Sequence, residues 1–225
     1  MGVVAGDIKR YKSTTVNDTD SNGGAISATE IVSDTANNMF PNITDEERTT
    51  GGTRYRKGFV KNTNVTTAFN NVYRYISELS DAADYFRQKA GTPTDTQADA
   101  DDYTDWAGSG LLNSGISAGA TTLVVDYDAA DGVYDTSVLA IVDGTDTEYV
   151  TVSGSPSWTG NQAEITLAAG TAKAHTSGVV IATMIPLGNI AAEGAAAYWV
   201  KQTWAAGVAS YSGSKTWFAT KGESA

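Results

Sequence analysis

At 225 residues, with 41% hydrophobic content, 23 Gly and four Pro, the chain can build one large β-sandwich or two small units, and its balance leans toward strands joined by tight turns. The lack of cysteine excludes disulfides, thiolate metal sites and a cysteine nucleophile, and a net charge of −11 argues against nucleic acid, whose affinity comes from Lys and Arg on phosphates. No apolar run approaches the roughly 20 residues that span a bilayer, and the opening MGVVAGDIKRYKS lacks a signal-peptide core, so neither a membrane nor export is expected.

The charge is not spread evenly. Between Gly91 and Ala172 there are 13 Asp and Glu and no Lys or Arg, while the remainder carries 15 basic against 13 acidic side chains. A break of this kind marks a physical boundary, and two β units are expected, one set inside the other.

Residues 1–50 read as an irregular arm. Asn17-Asp18-Thr19-Asp20-Ser21-Asn22-Gly23-Gly24 is a turn cluster, and Met39-Phe40-Pro41-Asn42-Ile43 is an extended apolar anchor. Thr44 to Glu47 spells a capping box with three acids at the positive end of a helix dipole, predicting one helical turn that ends at Gly51 or Gly52. From Arg54 to Asn62 the side chains alternate with the period of a strand, and Val72 to Leu79 is expected to continue the same sheet. Ser80 to Ala90 fits helix and strand equally, since Leu79, Ala83 and Phe86 fall at helical spacing while Tyr85 to Lys89 alternates.

The acidic segment then shows five strand signals at Thr121–Asp126, Ser137–Val142, Glu148–Val152, Ala163–Leu167 and Gly178–Thr183, separated by Gly-rich turns. This spacing predicts a small antiparallel barrel or sandwich. Pro186 and Gly188 are expected to close it, and Ala197–Trp204 and Ser214–Thr220 to complete the sheet begun at Arg54. The expected organisation is an arm over 1–50, an all-β, Ig-like antiparallel sandwich from 51–110 plus 186–225, and an inserted acidic β unit over 111–185.

Several patterns touch on chemistry. Gly115-Ile116-Ser117-Ala118-Gly119 matches a nucleophile elbow, but a strand follows Ser117 where that device needs a helix, and the one histidine, His175, reads as part of an exposed turn. Asp18-x-Asp20-x-Asn22-Gly23 imitates half of a calcium loop, although the twelfth position is Thr29, and Asp99-Ala100-Asp101-Asp102 is a second acidic turn. Asp146 and Glu148 share a strand face as glycosidase carboxylates do, yet such residues ordinarily face water. Trp106, Tyr149 and Trp158 have the chemistry to stack on a sugar and equally to pack a core. The sequons at Asn17, Asn42 and Asn64 need a secretory path the chain does not advertise. No glycine-rich phosphate loop follows a strand and opens a helix, so neither catalytic residues nor a cofactor is expected.

Two groups of motifs resemble known proteins. Asp7-Ile8-Lys9, Tyr11-Lys12-Ser13, Gly23-Gly24-Ala25-Ile26-Ser27, Met39-Phe40-Pro41 and Tyr55-Arg56-Lys57-Gly58-Phe59-Val60-Lys61-Asn62 resemble the opening of a family of structural proteins from tailed bacteriophages. Ala120-Thr121-Thr122-Leu123-Val124-Val125-Asp126, followed by Asp143-Gly144-Thr145-Asp146-Thr147-Glu148-Tyr149-Val150-Thr151-Val152, is similar to a β module of many virion proteins. The resemblance implies a structural role on the virion exterior, in the neck, the tail or as capsid decoration. It also implies other virion proteins and further copies of this chain as partners, with a host-surface glycan as the alternative. Arg54, Arg56, Lys57 and Lys61 form a basic strand suited to docking on an acidic lattice, with the arm at Ile8 and Tyr11 beside it. Alternation places the two Arg on one face and the two Lys on the other, so at least one pair is expected to face solvent or a partner.

Overall fold

The computed structural model describes residues 2–130, 132–210 and 215–225. The chain is all-β and antiparallel. It opens with β1 (Ile8–Thr15) and β2 (Gly23–Glu30), which pair with Tyr11 opposite Glu30 and Thr15 opposite Gly23. The arm is therefore not irregular throughout. Its strand sequences, IKRYKSTT and GGAISATE, carry too few apolar residues for a period of two to show, and order comes from the neighbouring strand.

After a loop comes α1 (Asp45–Thr50), capped as the sequence predicts: the Glu47 amide donates to Thr44 Oγ1 at 3.3 Å and the Thr44 amide to Glu47 Oε2 at 2.7 Å. Gly51 ends the helix at φ 73°, in the left-handed region that glycine enters without strain. The 11-residue β3 (Gly52–Asn62) then runs through the middle of a sheet. At Asn62 the chain leaves that sheet, because Asn62 Nδ2 donates to Thr67 O at 2.8 Å and Asn64 Oδ1 accepts from the Thr66 and Thr67 amides, curling the connection out of plane. Consequently β4 (Phe69–Glu78) does not continue the sheet of β3, as the sequence suggested, but begins the opposite one. β5 (Asp84–Ala90) resolves the ambiguity over 80–90 in favour of a strand.

The short α2 (Gln97–Asp101) precedes a run of small strands: β6 (Ser109–Leu112), β7 (Thr122–Tyr127), β8 (Val138–Val142), β9 (Glu148–Thr151), β10 (Ser157–Thr159), β11 (Gln162–Thr166) and β12 (Val180–Thr183). They form one sheet in the order β10-β11-β7-β6-β12-β8-β9. The end of β9 meets the end of β11: the Ser153 amide donates to Thr166 O and the Ala168 amide to Thr151 O, both at 2.8 Å, so the sheet closes on itself as a barrel with β10 hairpinned onto β11. Leu123, Val125, Leu139, Ile141, Ile165 and Ile181 fill it, each fully buried. The five predicted strands are present, joined by β6 and β10, which the sequence did not reveal; the three residues of β10 leave no room for a period.

The chain returns through β13 (Ile185–Ile190), β14 (Ala195–Trp204) and β15 (Trp217–Ser224). The larger sandwich sheet has the order β2-β1-β3-β14-β5 and the smaller β13-β4-β15. β14 joins β3 as expected, but β15 pairs with β4 in the other sheet; its predicted start, Ser214, lies outside the described residues. Pro186 and Gly188 sit within β13 instead of closing the insert. Between the two sheets pack Val60, Val72, Ile185, Ile190, Tyr198 and Val200.

The barrel's sheet spans Ser109 to Thr183. Its two ends are adjacent, with the Thr183 amide donating to Gly108 O at 3.0 Å. A separate cluster of Tyr75, Ala140, Ala182 and Met184 joins the outside of the barrel to the smaller sandwich sheet.

Candidate functional site

The basic strand is the natural place to look for a docking surface, and the structure turns most of it inward. Arg54 is 6% exposed, Arg56 5% and Lys57 2%. Arg54 pairs with Glu47, donates to Pro41 O at 3.1 Å, and lies over the Trp204 ring at 5.4 Å. Arg56 Nη1 donates to Asn17 O at 3.0 Å and to Asp18 Oδ1 at 2.5 Å, beside the Phe40 ring. Both guanidinium groups thus hold the loops of the first 50 residues against the sandwich. Arg54, Arg56 and Lys57 are not available as a free face, which corrects the docking surface read from the sequence.

The alternation of β3 is real, but the inference that one face must stay open fails. The outer face of the larger sheet is itself covered by the segment from Thr92 to Trp106, whose Ala100, Tyr103 and Trp106 pack over Tyr55 and Trp199. Beneath this cover lies an ionic cluster that sequence reasoning missed. Lys57 Nζ contacts Asp95 Oδ1 and donates to Gly24 O at 2.7 Å and Asp95 O at 2.9 Å. Asp95 Oδ2 accepts from Tyr103 Oη at 2.5 Å and from Trp199 Nε1 and the Thr92 amide at 3.0 Å each. Burial pulls the Lys57 ammonium below its usual value against the opposing influence of Asp95. Burial lifts the Asp95 carboxyl, but its hydrogen bonds from Lys57, Tyr103, Thr92 and Trp199 prevail and hold it low. Burial and Asp95 raise the Tyr103 phenol, which keeps it a proton donor. A signal was available in the sequence: an isolated acid in the turn Thr92-Pro93-Thr94-Asp95, with the only internal lysine of Arg56-Lys57-Gly58 to meet it.

Of the basic strand, Lys61 stays half-exposed, with its ammonium 5.8 Å from the Tyr11 ring. Ile8 and Tyr11 are half-buried in β1, not on a loose arm, and Lys9 next to them pairs with Glu30 at 3.2 Å. Lys9, Tyr11 and Lys61 therefore form a basic and aromatic patch of the larger sheet that solvent reaches.

His175 is not in an exposed turn. Its side chain is fully buried, with Nδ1 3.0 Å from Asp143 Oδ2 and Nε2 2.8 Å from Glu148 Oε1. Both nitrogens are engaged by carboxylates, leaving neither to act as a base for the exposed Ser117. Glu148 also accepts from the Ala172 amide at 2.8 Å, and Asp146, which lies in a 3-10 turn at Gly144–Asp146 and not on a strand face shared with Glu148, pairs with Lys173 at 3.0 Å, so the two carboxylates tie β9 and the turn before it to the loop before β12. Asp18 is taken up by Arg54 and Arg56, Asp99 by the Thr96 amide, and among the described residues no group of three acid or histidine side chains is arranged to hold a metal. Trp106 is buried at 5% and the half-buried Trp158 packs on Tyr127 at 5.5 Å, whereas Tyr149 is 40% exposed.

A cleft of about 360 Å³ opens where the sandwich meets the barrel, with Glu78, Asp84, Asp128, Leu79 and Leu111 among its lining. Its chemistry suits a cationic side chain more than an anionic ligand. In comparisons with known proteins, no family model and no curated protein matches this chain.

Proposed function

We propose that the chain is a non-enzymatic structural component of a tailed-bacteriophage virion. It would be made in the host cytoplasm and incorporated on the particle exterior as a neck or tail protein or as capsid decoration. The observation that carries this reading is the segregation of charge: the barrel, residues 109–183, carries eight Asp and Glu against the single base Lys173, and it is held against a remainder with 18 acids and 14 bases. That arrangement gives the molecule two chemically distinct ends, which is what a subunit between unlike neighbours requires. The motif resemblance supports the same reading, as does the use of the basic side chains and His175 as internal ties. Docking falls to the face bearing Lys9, Tyr11 and Lys61, since Arg54, Arg56 and Lys57 are withdrawn from solvent.

Quantitative mass spectrometry of density-purified particles tests the proposal: the chain should be recovered at a fixed number of copies per particle, and imaging of tagged particles should place it on head, neck or tail. A chain abundant in lysate but absent from particles would refute it. A second reading, a glycan-binding module for the host surface, rests on Tyr149, whose exposed ring faces Lys221 Nζ at 4.9 Å. A glycan array separates the two.

A further inference from the structure

We propose that Lys57 and Asp95 become joined by an intramolecular amide bond, from Nζ to Cγ, with the loss of one water. The two residues lie 38 positions apart in sequence, and their side chains are sealed from solvent at 0% and 4% exposure with Nζ in direct contact with Oδ1. Sealing matters because the reverse reaction consumes water. Holding amine and carboxyl together in one orientation supplies an effective concentration on the order of 10⁵ to 10⁸ M, which converts a slow bimolecular condensation into a feasible internal step.

The two oxygens of Asp95 are differently equipped. Oδ2 receives three donors, the Tyr103 hydroxyl at 2.5 Å, Trp199 Nε1 at 3.0 Å and the Thr92 amide at 3.0 Å. Oδ1 meets only the lysine nitrogen, in a close ionic contact. An ordinary buried carboxylate gains by having both oxygens satisfied. Here the donors concentrate on the oxygen where negative charge develops as the amine adds to Cγ, in the manner of an oxyanion hole. The other oxygen is left free to depart.

The reactants start as a buried ion pair, with Asp95 held in its charged form by its donors. Phe59 and Trp199 place their rings 5.2 and 5.8 Å from Nζ, and a charged pair in such a box carries a large desolvation cost that disappears on condensation. A proton passes from the ammonium to Oδ1, giving amine and carboxylic acid. The amine lone pair then forms the C–N bond, and the Cγ–Oδ1 bond breaks. Oδ1 leaves with two of the three ammonium protons as water, and the third stays on the amide nitrogen. That remaining N–H has Gly24 O or Asp95 O as its acceptor. No oxidant, cofactor or second substrate enters the balance, and the single positive and single negative charge cancel.

Intact mass measured under denaturing conditions tests this bond independently of any role in a virion. The purified protein should be one water lighter than its sequence mass, and proteolysis should yield one branched peptide containing both Lys57 and Asp95. Asp95→Asn should form the same product and be one ammonia lighter than its own sequence mass, while Asp95→Ala and Lys57→Arg should keep their full masses. The wild-type measurement alone decides the matter even where a variant does not fold. Recovery at full mass, with Lys57 and Asp95 on separate linear peptides, would overturn the proposal and leave the pair an ion pair only.

Discussion

Truncating Arg56 to alanine measures how firmly the first 50 residues are tied to the sandwich. The guanidinium donates to Asn17 O, Asp18 Oδ1 and Tyr55 O, and its side chain is 6% exposed. Breaking one side of a fully buried ion pair costs about 3 to 5 kcal/mol because a charge is stranded. Asp18 would not be stranded: its side chain is 56% exposed and Arg54 Nε remains 3.5 Å away. Solvent screening on the carboxylate side therefore reduces the loss to about 2 to 3 kcal/mol, mostly from charge-assisted bonds to two carbonyls that are left without them. With a urea slope of about 2 to 3 kcal/mol/M, the midpoint should fall by about 1 M. Tryptophan fluorescence reports the transition, since Trp204 lies under Arg54 in the same layer. The double reversal Arg54→Glu with Arg56→Glu, which sets new carboxylates against Asp18 and Glu47, should abolish cooperative unfolding. Midpoints within about 0.2 M of the parent in Arg54→Ala and Arg56→Ala alike would refute the view that these arginines are internal ties.

Four further outcomes are expected. Gly23→Ala should cost more than about 2 kcal/mol in urea unfolding, because Gly23 has φ 113° and an added Cβ would lie 2.8 Å from Asp95 O and 2.9 Å from the Trp199 ring. His175→Ala should destabilise the barrel by about 3 kcal/mol by removing the imidazole between Asp143 and Glu148, read as an earlier thermal transition and faster proteolysis of the 168–178 loop. Glu47 is held below its ordinary 4.5, first by the Thr44 amide; a lowered carboxyl contributes stability in full above the unfolded value and loses it as pH falls through the folded one. Stability should thus decline below about pH 4.5, and Glu47→Gln should flatten that limb of the pH profile. Replacing residues 109–183 by a short Gly-Ser linker should leave a sandwich that still unfolds cooperatively, though less stably, since Gly108 and Thr183 are hydrogen-bonded neighbours and the losses are the Tyr75 seam, the Tyr149–Lys221 contact and the hydrogen bonds of Trp106, Gly108 and Met184 to the barrel.

Local chemistry was the most legible part of the sequence. The capping box at Thr44 and Glu47, the period of β3 and the five predicted barrel strands depend on neighbours in sequence, and each is present. What escaped depends on distant pairing. β1 and β2 are ordered by partners more than by their own apolar residues, and β4 changes sheet through side-chain bonds of Asn62 and Asn64. The candidate site was misjudged for the same reason. Period-two alternation correctly split Arg54 and Arg56 from Lys57 and Lys61, but it cannot reveal that Thr92 to Trp106 folds back over the second face. His175 likewise sits among polar, turn-forming neighbours, and only the barrel's closure brings Asp143 and Glu148 to its two nitrogens.

The way the barrel is attached governs how it moves. Domains on a single linker swivel, whereas here two extended segments leave the sandwich side by side: Ala107 exchanges hydrogen bonds of 2.8 and 2.9 Å with Gln88 just before β6, and Met184 alone separates β12 from β13. Paired struts of this kind resist torsion about their common axis and leave bending as the soft mode, which the packing of Tyr75 against Ala140, Ala182 and Met184 limits in turn. A force applied to the barrel would accordingly reach β4 and β5 directly, so that the unit behaves as a rigid bracket and not as a tethered weight.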